Sequence, residues 1–399
     1  MAEQSNGGAV RVLELAQEVT GPSVGRIFAL SGADVVKVES LPDGDPMRAQ
    51  DPAGSGASAV YEYLNAGKRS VGIDWTAADA PTQLERLWSW ADLVVVDDTF
   101  LAQPPVRRLV DSEGGPPVTT VTPFGLEGPY AGRPATSSTV FAMAGETIML
   151  PGGLGYELFP DEPPLLARGA MADTDAASIA ALVSTAALIH GGEGHVNDIA
   201  RWEAEASLNR WIASHFDDSG WRESRATRAY SYGGLTACAD GYVMIQIATE
   251  SQWEAFVRMM GEPDWARHPD YRTQAGRTAA GGEIGEHIRA WAAGLDKATI
   301  FALGIEHGVP VAPFREVPEV LACPQFNERG FFVDHPSAGP GQPQRLPTLP
   351  YVDAGTPLPA APELGEHTHA LLDERGSAAR EGTRSVAVAM RSPREPAST

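Results

Sequence analysis

Two carboxylates stand close together in "GAMADTDAAS", residues Gly169 to Ser178: Asp173 and Asp175. Their neighbours are Ala, Gly and Met, which leave room for a ligand and bring little competing water. A carboxylate at a helix N-terminus stays ionised, because the dipole and the free N–H groups favour the anion. Such a group can attack an activated acyl carbon while backbone N–H groups stabilise the oxyanion. The residues also have a structural reading. Asp173, Thr174 and Asp175 are all N-cap types ahead of the Ala-rich segment "AASIAALVSTAALIH", and a cap contributes about 0.5–2 kcal/mol. Different Asp residues can take the two roles, so the local residues leave both open.

Other candidate groups are weaker. Gly152, Gly153 and Gly155 in "PGGLGYEL" do not make G-x-G-x-x-G, and no strand-turn-helix unit holds them. The sequence carries no Walker A loop and no G-x-S-x-G elbow. His367 and His369 in "EHTH" are two apart and would not share a helix face, so the segment reads as a solvated helix start. His190 reads as a helix C-terminal residue favoured by the dipole. Cys323, before Pro324, reads as a small buried apolar residue. No metal is expected.

The elements that position these groups follow from hydrophobic periodicity. "VRVLEL", "DVVKVES", "SVGID", "DLVVVDD" and "PVTTVTPFG" read as strands. "GPSVGRIFALSGA" and "PTQLERLWSWA" read as helices between them, with Leu84, Leu87 and Trp88 on one face of the second. Strands alternating with helices mean βαβ units and a parallel sheet. A helix is expected over 176–189, closed by Gly191 and Gly192. "VNDIARWEAEASLNRWIASHF" reads as another helix. From residue 225 the texture changes to a hairpin around Asp240-Gly241 followed by helices. The expected divisions are a large domain over 1–224, a small α+β domain over 225–325, a return segment over 326–376 and a disordered tail over 377–399.

The chain has 399 residues, 43% hydrophobic and 21% charged, with a formal charge of −22. Such an acidic chain is a poor partner for nucleic acid, whose binding is driven by phosphate neutralisation. An anionic ligand would need local Arg, Lys or backbone N–H groups. No apolar run is read as reaching the ~18–20 residues that span a bilayer. The N-terminus lacks a secretory pattern, and two cysteines, Cys238 and Cys323, fit a reducing compartment. The expectation is a cytoplasmic protein without membrane or nucleic-acid partners.

Eight segments in register carry a family likeness: "VLELAQEVTGPSVGRIFALSGADVVKVES", "GDPMR", "LNAGKRSVGID", "TPFGLEGPYAGRPA", "GEGHVNDIARWEA", "ADGYVMIQI", "GVPVAPFREVPEVLACPQFNERG" and "LGEHTHALL". Together they resemble the class III CoA-transferase family, of the formyl-CoA and carnitine CoA-transferase type. The likeness runs over nearly the whole chain. It implies an α/β fold with a Rossmann-like parallel-sheet large domain, an inserted smaller α+β domain and an interlocked homodimer. It also implies coenzyme A as acyl-CoA substrate and a carboxylic acid as partner. A catalytic Asp would attack the thioester, and an aspartyl-CoA thioester would pass CoA to the acid. The family's "G-x-x-x-A-D-x-x-x-G" context places Asp173 at that position and leaves Asp175 as helix cap or first-turn dipole partner.

By the same likeness, CoA contacts fall at Val19, Thr20, Ser40, Ile73, Asp74, Trp75 and Thr136. Lys68, Arg69, Arg107 and Arg108 are the local basic groups for its phosphates. Related racemases of this fold use a His where this chain has Thr136. The sequence departs from the family in several places. "VDDTFLAQ" replaces "ENFRPG" and puts Asp97 and Asp98 where Asn and Phe are usual. Thr136 and Ser137 replace Tyr-Asp, and Ala177 replaces a Gly. Gly233-Gly234 is the one candidate for the Gly-rich shielding loop. A divergent member with an unusual substrate is expected. A racemase, isomerase or lyase, or a non-catalytic CoA-binding paralogue, stands as the alternative.

Overall fold

The computed structural model describes residues 9–50, 58–145, 147–150, 160–166, 170–192, 194–208, 210–222, 224–225, 231–335, 344–350 and 359–372. The expected tail over 377–399 and the glycines of "PGGLGYEL" lie outside them. The chain divides into two compact units. Met1–Ala144, Ala167–Leu208 and Gln325–Thr399 form one; Gly145–Leu166 and Asn209–Pro324 form the other. The sequence reading drew its borders at 224/225 and 325/326, whereas contacts also assign 145–166 and 209–224 to the second unit.

In the first unit, Val, Ile and Leu runs form six parallel strands: β1 Arg11–Leu15, β2 Asp34–Ser40, β3 Arg69–Ile73, β4 Leu93–Asp97, β5 Val118–Thr122 and β6 Val196–Ala200. Their order is β3-β2-β1-β4-β5-β6. β1 pairs with both β2 and β4, so the strand order reverses there. In open parallel sheets, ligands bind outside the strand C-terminal ends at such a switch point. Leu13, Leu15, Val36, Val38, Val94 and Val96 face the core cluster that includes Leu84, Leu87 and Trp88 of the helix Ala80–Trp90. Val12, Val24, Val95 and Ala177 build the core on the other face.

The helices of this unit include α1 Thr20–Leu30, α2 Ala59–Asn65, α3 Ala80–Trp90, α4 Asp98–Leu101, α5 Pro104–Val110, α6 Ser137–Met143, α7 Met171–His190 and α8 Arg201–Leu208. Three expectations change. Residues 196–200 are a strand, paired in parallel with β5 from Val118↔Val196 to Thr122↔Ala200. The β-branched Val196 and Ile199 satisfy a vacant sheet edge, and the helix starts only at Arg201. α7 starts at Met171, five residues before the expected 176. Its 20 residues are also apolar and long enough to cross a membrane by length and composition, which corrects the reading that no such run exists. Here Ala176, Ala177, Ala180, Ala181 and Ser184 of α7 are buried within the unit.

Motifs from the family likeness build a buried ionic lattice at the sheet's C-terminal side. Glu14 accepts from Lys37 Nζ at 3.0 Å and Lys68 Nζ at 2.7 Å. Lys37 also pairs with Asp45 at 2.8 Å. Glu39 takes Arg48 through both oxygens at 2.7 Å and Ser70 Oγ at 2.6 Å. A Cβ on Gly25 would stand 1.8 Å from Glu14 Oε2, so only Gly lets α1 cross this lattice. A helix starts in "EHTH" as expected, at Thr368, with Glu366 and His369 exposed, and its first residues also tie down β3. His367 Nδ1 accepts from Ser70 N at 3.3 Å and Thr368 Oγ1 from Gly72 N at 2.9 Å, which covers the open edge of β3.

The second unit holds an antiparallel sheet of β7 Gly234–Cys238, β8 Gly241–Ile245 and β9 Val311–Pro313. β7 and β8 form the expected hairpin. Phe256, Ile284, Ile288 and Ile300 from its helices pack on Val243 and Ile245.

Candidate functional site

Asp173 lies in the first turn of α7, and Ala170, in a left-handed conformation with φ 54°, occupies the N-cap without a side-chain bond. Neither Asp173 nor Asp175 caps the helix, so the capping reading is corrected: both stand inside it. Asp173 is 4% exposed. Thr20 Oγ1 donates to its Oδ1 at 2.7 Å, and Arg201 Nη1 donates to the same oxygen at 2.5 Å. Oδ2 makes no hydrogen bond with a described residue. Both described bonds to this carboxylate therefore fall on one oxygen.

Each partner is placed by an element boundary. Thr20 opens α1 directly after the turn that leaves β1. Gly21 lets that turn close, because a Cβ there would stand 2.1 Å from Ala16 Cβ. Arg201 opens α8 directly after β6, and its Nη2 donates to Ala135 O at 2.9 Å. That carbonyl ends a loop braced by aromatic packing: Phe124, Tyr130 and Trp202 have ring centroids 5.6 to 5.9 Å apart.

The turn from β1 is itself fixed. Asp97 Oδ2 accepts from Gln17 N at 2.8 Å, and its Oδ1 accepts from Phe100 N at 2.9 Å. Burial pushes Asp97 up to about 7, against those two backbone bonds. Asp97 therefore points inward and ties β4 to the β1 turn. Asp98 is exposed. Glu18, between Gln17 and Val19, has φ 61° and donates its N–H to Asp45 Oδ1 at 3.2 Å. Its pKa is raised, first by burial; Arg201 lowers it and Asp173 raises it again, so its carboxyl feels both. Burial also raises Asp175, which hydrogen-bonds with Glu205.

The other expected residues divide into groups. Val19 precedes Thr20 at the turn. Ser40 Oγ accepts from Trp75 Nε1 at 2.9 Å, Ile73 is fully buried, and Asp74 binds Thr76 N and Oγ1. These four residues lie at the C-terminal ends of β2 and β3. Lys68 is 3% exposed, and its ammonium is used by Glu14, Pro22 O and Asn65 Oδ1. Burial lowers it to about 8, with Glu14 opposing. Arg69 is bidentate to Asp34. Both basic groups belong to the scaffold. Arg107 and Arg108 are exposed and pair with Asp111 and Glu85. Thr136 caps α6, one residue from the carbonyl that Arg201 holds. Among the described residues, no group of three His, Cys, Asp or Glu could hold a metal ion.

Sequence reasoning missed Arg201.

Comparisons with known proteins show what the chain is similar to. Residues 8–368 match the family model "CoA-transferase family III". The chain is 31% identical to the succinyl-CoA:(R)-benzylsuccinate CoA-transferase subunit BbsE of Thauera aromatica, over 92% of this chain and 93% of that one. It is 28% identical to a succinate–glutarate CoA-transferase of Agrobacterium fabrum, covering 92% and 94%. A crystal structure of a CAIB/BAIF family protein from Brucella suis superposes with a TM-score of 0.77 at 26% identity, covering 91% and 98%.

Proposed function

The chain belongs to CoA-transferase family III, and on that premise we propose that it moves CoA from an acyl-CoA thioester to a free carboxylic acid through an aspartyl-CoA thioester on Asp173. The observation that carries this reading is the asymmetry of the carboxylate: Thr20 and Arg201 both hold Oδ1, and Oδ2 is left for attack. Oδ2 attacks the thioester carbon, the C–S bond breaks and CoA thiolate leaves. The thiolate attacks Cγ of the resulting anhydride and expels the donor acid. The acceptor carboxylate then attacks Cγ of the thioester, and the returning thiolate takes the new acyl group. Asp173 ends as it began.

In this reading CoA lies over the C-terminal ends of β1 to β3, against Val19, Thr20, Ser40, Ile73, Asp74 and Trp75. Of the four expected basic groups, Arg107 and Arg108 suit the phosphates best. Their present partners form exposed pairs worth only about 0–1 kcal/mol and are easily exchanged. Lys68 and Arg69 would have to abandon internal partners. Exposed apolar side chains on α7, Leu182 at 71% and Ile189 at 56%, suit a homodimer, and the reading takes the enzyme to be cytoplasmic. A racemase would need an imidazole where Thr136 caps α6.

The test is isotope exchange. A panel of acyl-CoA donors is incubated with the enzyme and a panel of labelled acids, and products are analysed with and without acid. Transfer predicts labelled acyl-CoA only when an acid is present. Turnover that proceeds without acid would favour an isomerase or lyase, and CoA binding without any turnover would favour a non-catalytic paralogue.

A further inference from the structure

Asp173 is ion-paired at rest, and that pairing must change when the carboxylate reacts. Arg201 is 8% exposed. Asp173 is the one carboxylate ion-paired with it among the described residues; its other bond goes to a neutral carbonyl. The transferase reading, on which this inference rests, makes Asp173 neutral through three covalent states: the donor anhydride, the CoA thioester and the acceptor anhydride. Each time a buried guanidinium would lose its counter-ion, which is strongly unfavourable unless another anion arrives. Glu18 is within electrostatic reach. However, it makes no ion pair with Arg201, its backbone has φ 61°, and its N–H is tied to Asp45.

We propose that Arg201 binds the carboxylate of the free acid substrate, exchanging Asp173 for it while Asp173 is held as the CoA thioester. The bookkeeping of bonds supports the exchange. When thiolate attacks Cγ of the anhydride, the bond from Cγ to the acyl oxygen breaks and a carboxylate is born beside the guanidinium. In the return half, the incoming carboxylate attacks the same Cγ as thiolate leaves. In the two anhydride states the CoA thiolate carries the negative charge, and in the thioester state between them the free acid carboxylate carries it beside Arg201; no redox step is involved. A planar guanidinium suits a carboxylate geometrically.

Asp173→Asn supplies the neutral state without any CoA chemistry. The test therefore separates this inference from the transferase reading, which is decided by the adduct on Asp173. Wild type, Asp173→Asn, Asp173→Asn/Arg201→Gln and Asp173→Asn/Arg201→Lys are titrated calorimetrically with sodium acetate and sodium succinate, with chloride at matched ionic strength as control. Asp173→Asn is expected to bind at least one acid ten-fold or more tightly than wild type does. The Gln double variant should lose that gain, and the Lys double variant should keep part of it. No gain in Asp173→Asn, or a gain that survives Arg201→Gln, would overturn the proposal. If the Gln variant does not fold, wild type against Asp173→Asn and the Lys variant still decide it.

Discussion

Arg201 Nη1 reaches Asp173 Oδ1 at 2.5 Å, from the first residue of α8 to the first turn of α7. The contact depends on β6 being a strand. Five extended residues span about 16 Å, whereas five helical ones rise about 7.5 Å. Continuous helix over 196–216 would therefore deliver Arg201 to a different place. The pairing in β6 and the ion pair at Asp173 are two consequences of one local choice.

Thr20 orients the same oxygen, and a hydrogen bond to a charged group is worth about 1.5–3 kcal/mol. Thr20→Val should lower kcat by about 10- to 100-fold while the thermal midpoint moves by only a few degrees. Steady-state kinetics beside a melting curve would check this. Full kcat in the Val variant would remove Thr20 from the account.

Lys68 and the Arg107-Arg108 pair should part company when mutated. Lys68→Met strips a counter-ion from the fully buried Glu14 carboxylate, and breaking such a pair costs about 3–5 kcal/mol. The urea midpoint should fall accordingly. Arg107→Ala/Arg108→Ala should leave stability within about 0.5 kcal/mol and weaken CoA binding roughly ten-fold, less so at high salt. A Lys68→Met protein of normal stability would contradict the scaffold role of the lattice.

Asp97 makes stability pH-dependent in a definite direction. Its folded pKa is about 7, above the 3.8 of an ordinary Asp, with burial the largest cause. The folded state therefore holds the proton more tightly. Its contribution is full below about pH 4 and is lost as pH rises through 7. The slope is at most about 1.4 kcal/mol per pH unit. Asp97→Asn cannot titrate, so its stability relative to wild type should improve between pH 5 and 8. Urea midpoints that run parallel for the two proteins across that range would contradict it.

How much of this was legible in the sequence varies with the physical signal. The strands over 34–40 and 93–97 announced themselves as apolar runs, and βαβ alternation gave the parallel sheet. β6 was hidden because "VNDIA" has only two large apolar residues and runs directly into a helix. The start of α7 was hidden because three good N-cap residues stand inside it, while an Ala in left-handed geometry does the capping. The motif context singles out Asp173 as the candidate. Its partners were not legible: Thr20 and Arg201 lie 153 and 28 residues away, and only the folded sheet brings them together. The roles of Lys68 and Asp97 were equally hidden, because a charged side chain reads as solvated until its buried partner is known.

The central claim is that Asp173 becomes covalently joined to CoA. Wild type incubated with a panel of acyl-CoA thioesters and then treated with borohydride or hydroxylamine, followed by peptide mass spectrometry, tests it most directly. The account predicts the mass change of a reduced or hydroxamate-modified side chain at Asp173, absent in Asp173→Ala, which should also lose transfer activity. An adduct on another residue, or an Asp173→Ala enzyme with full activity, would contradict it.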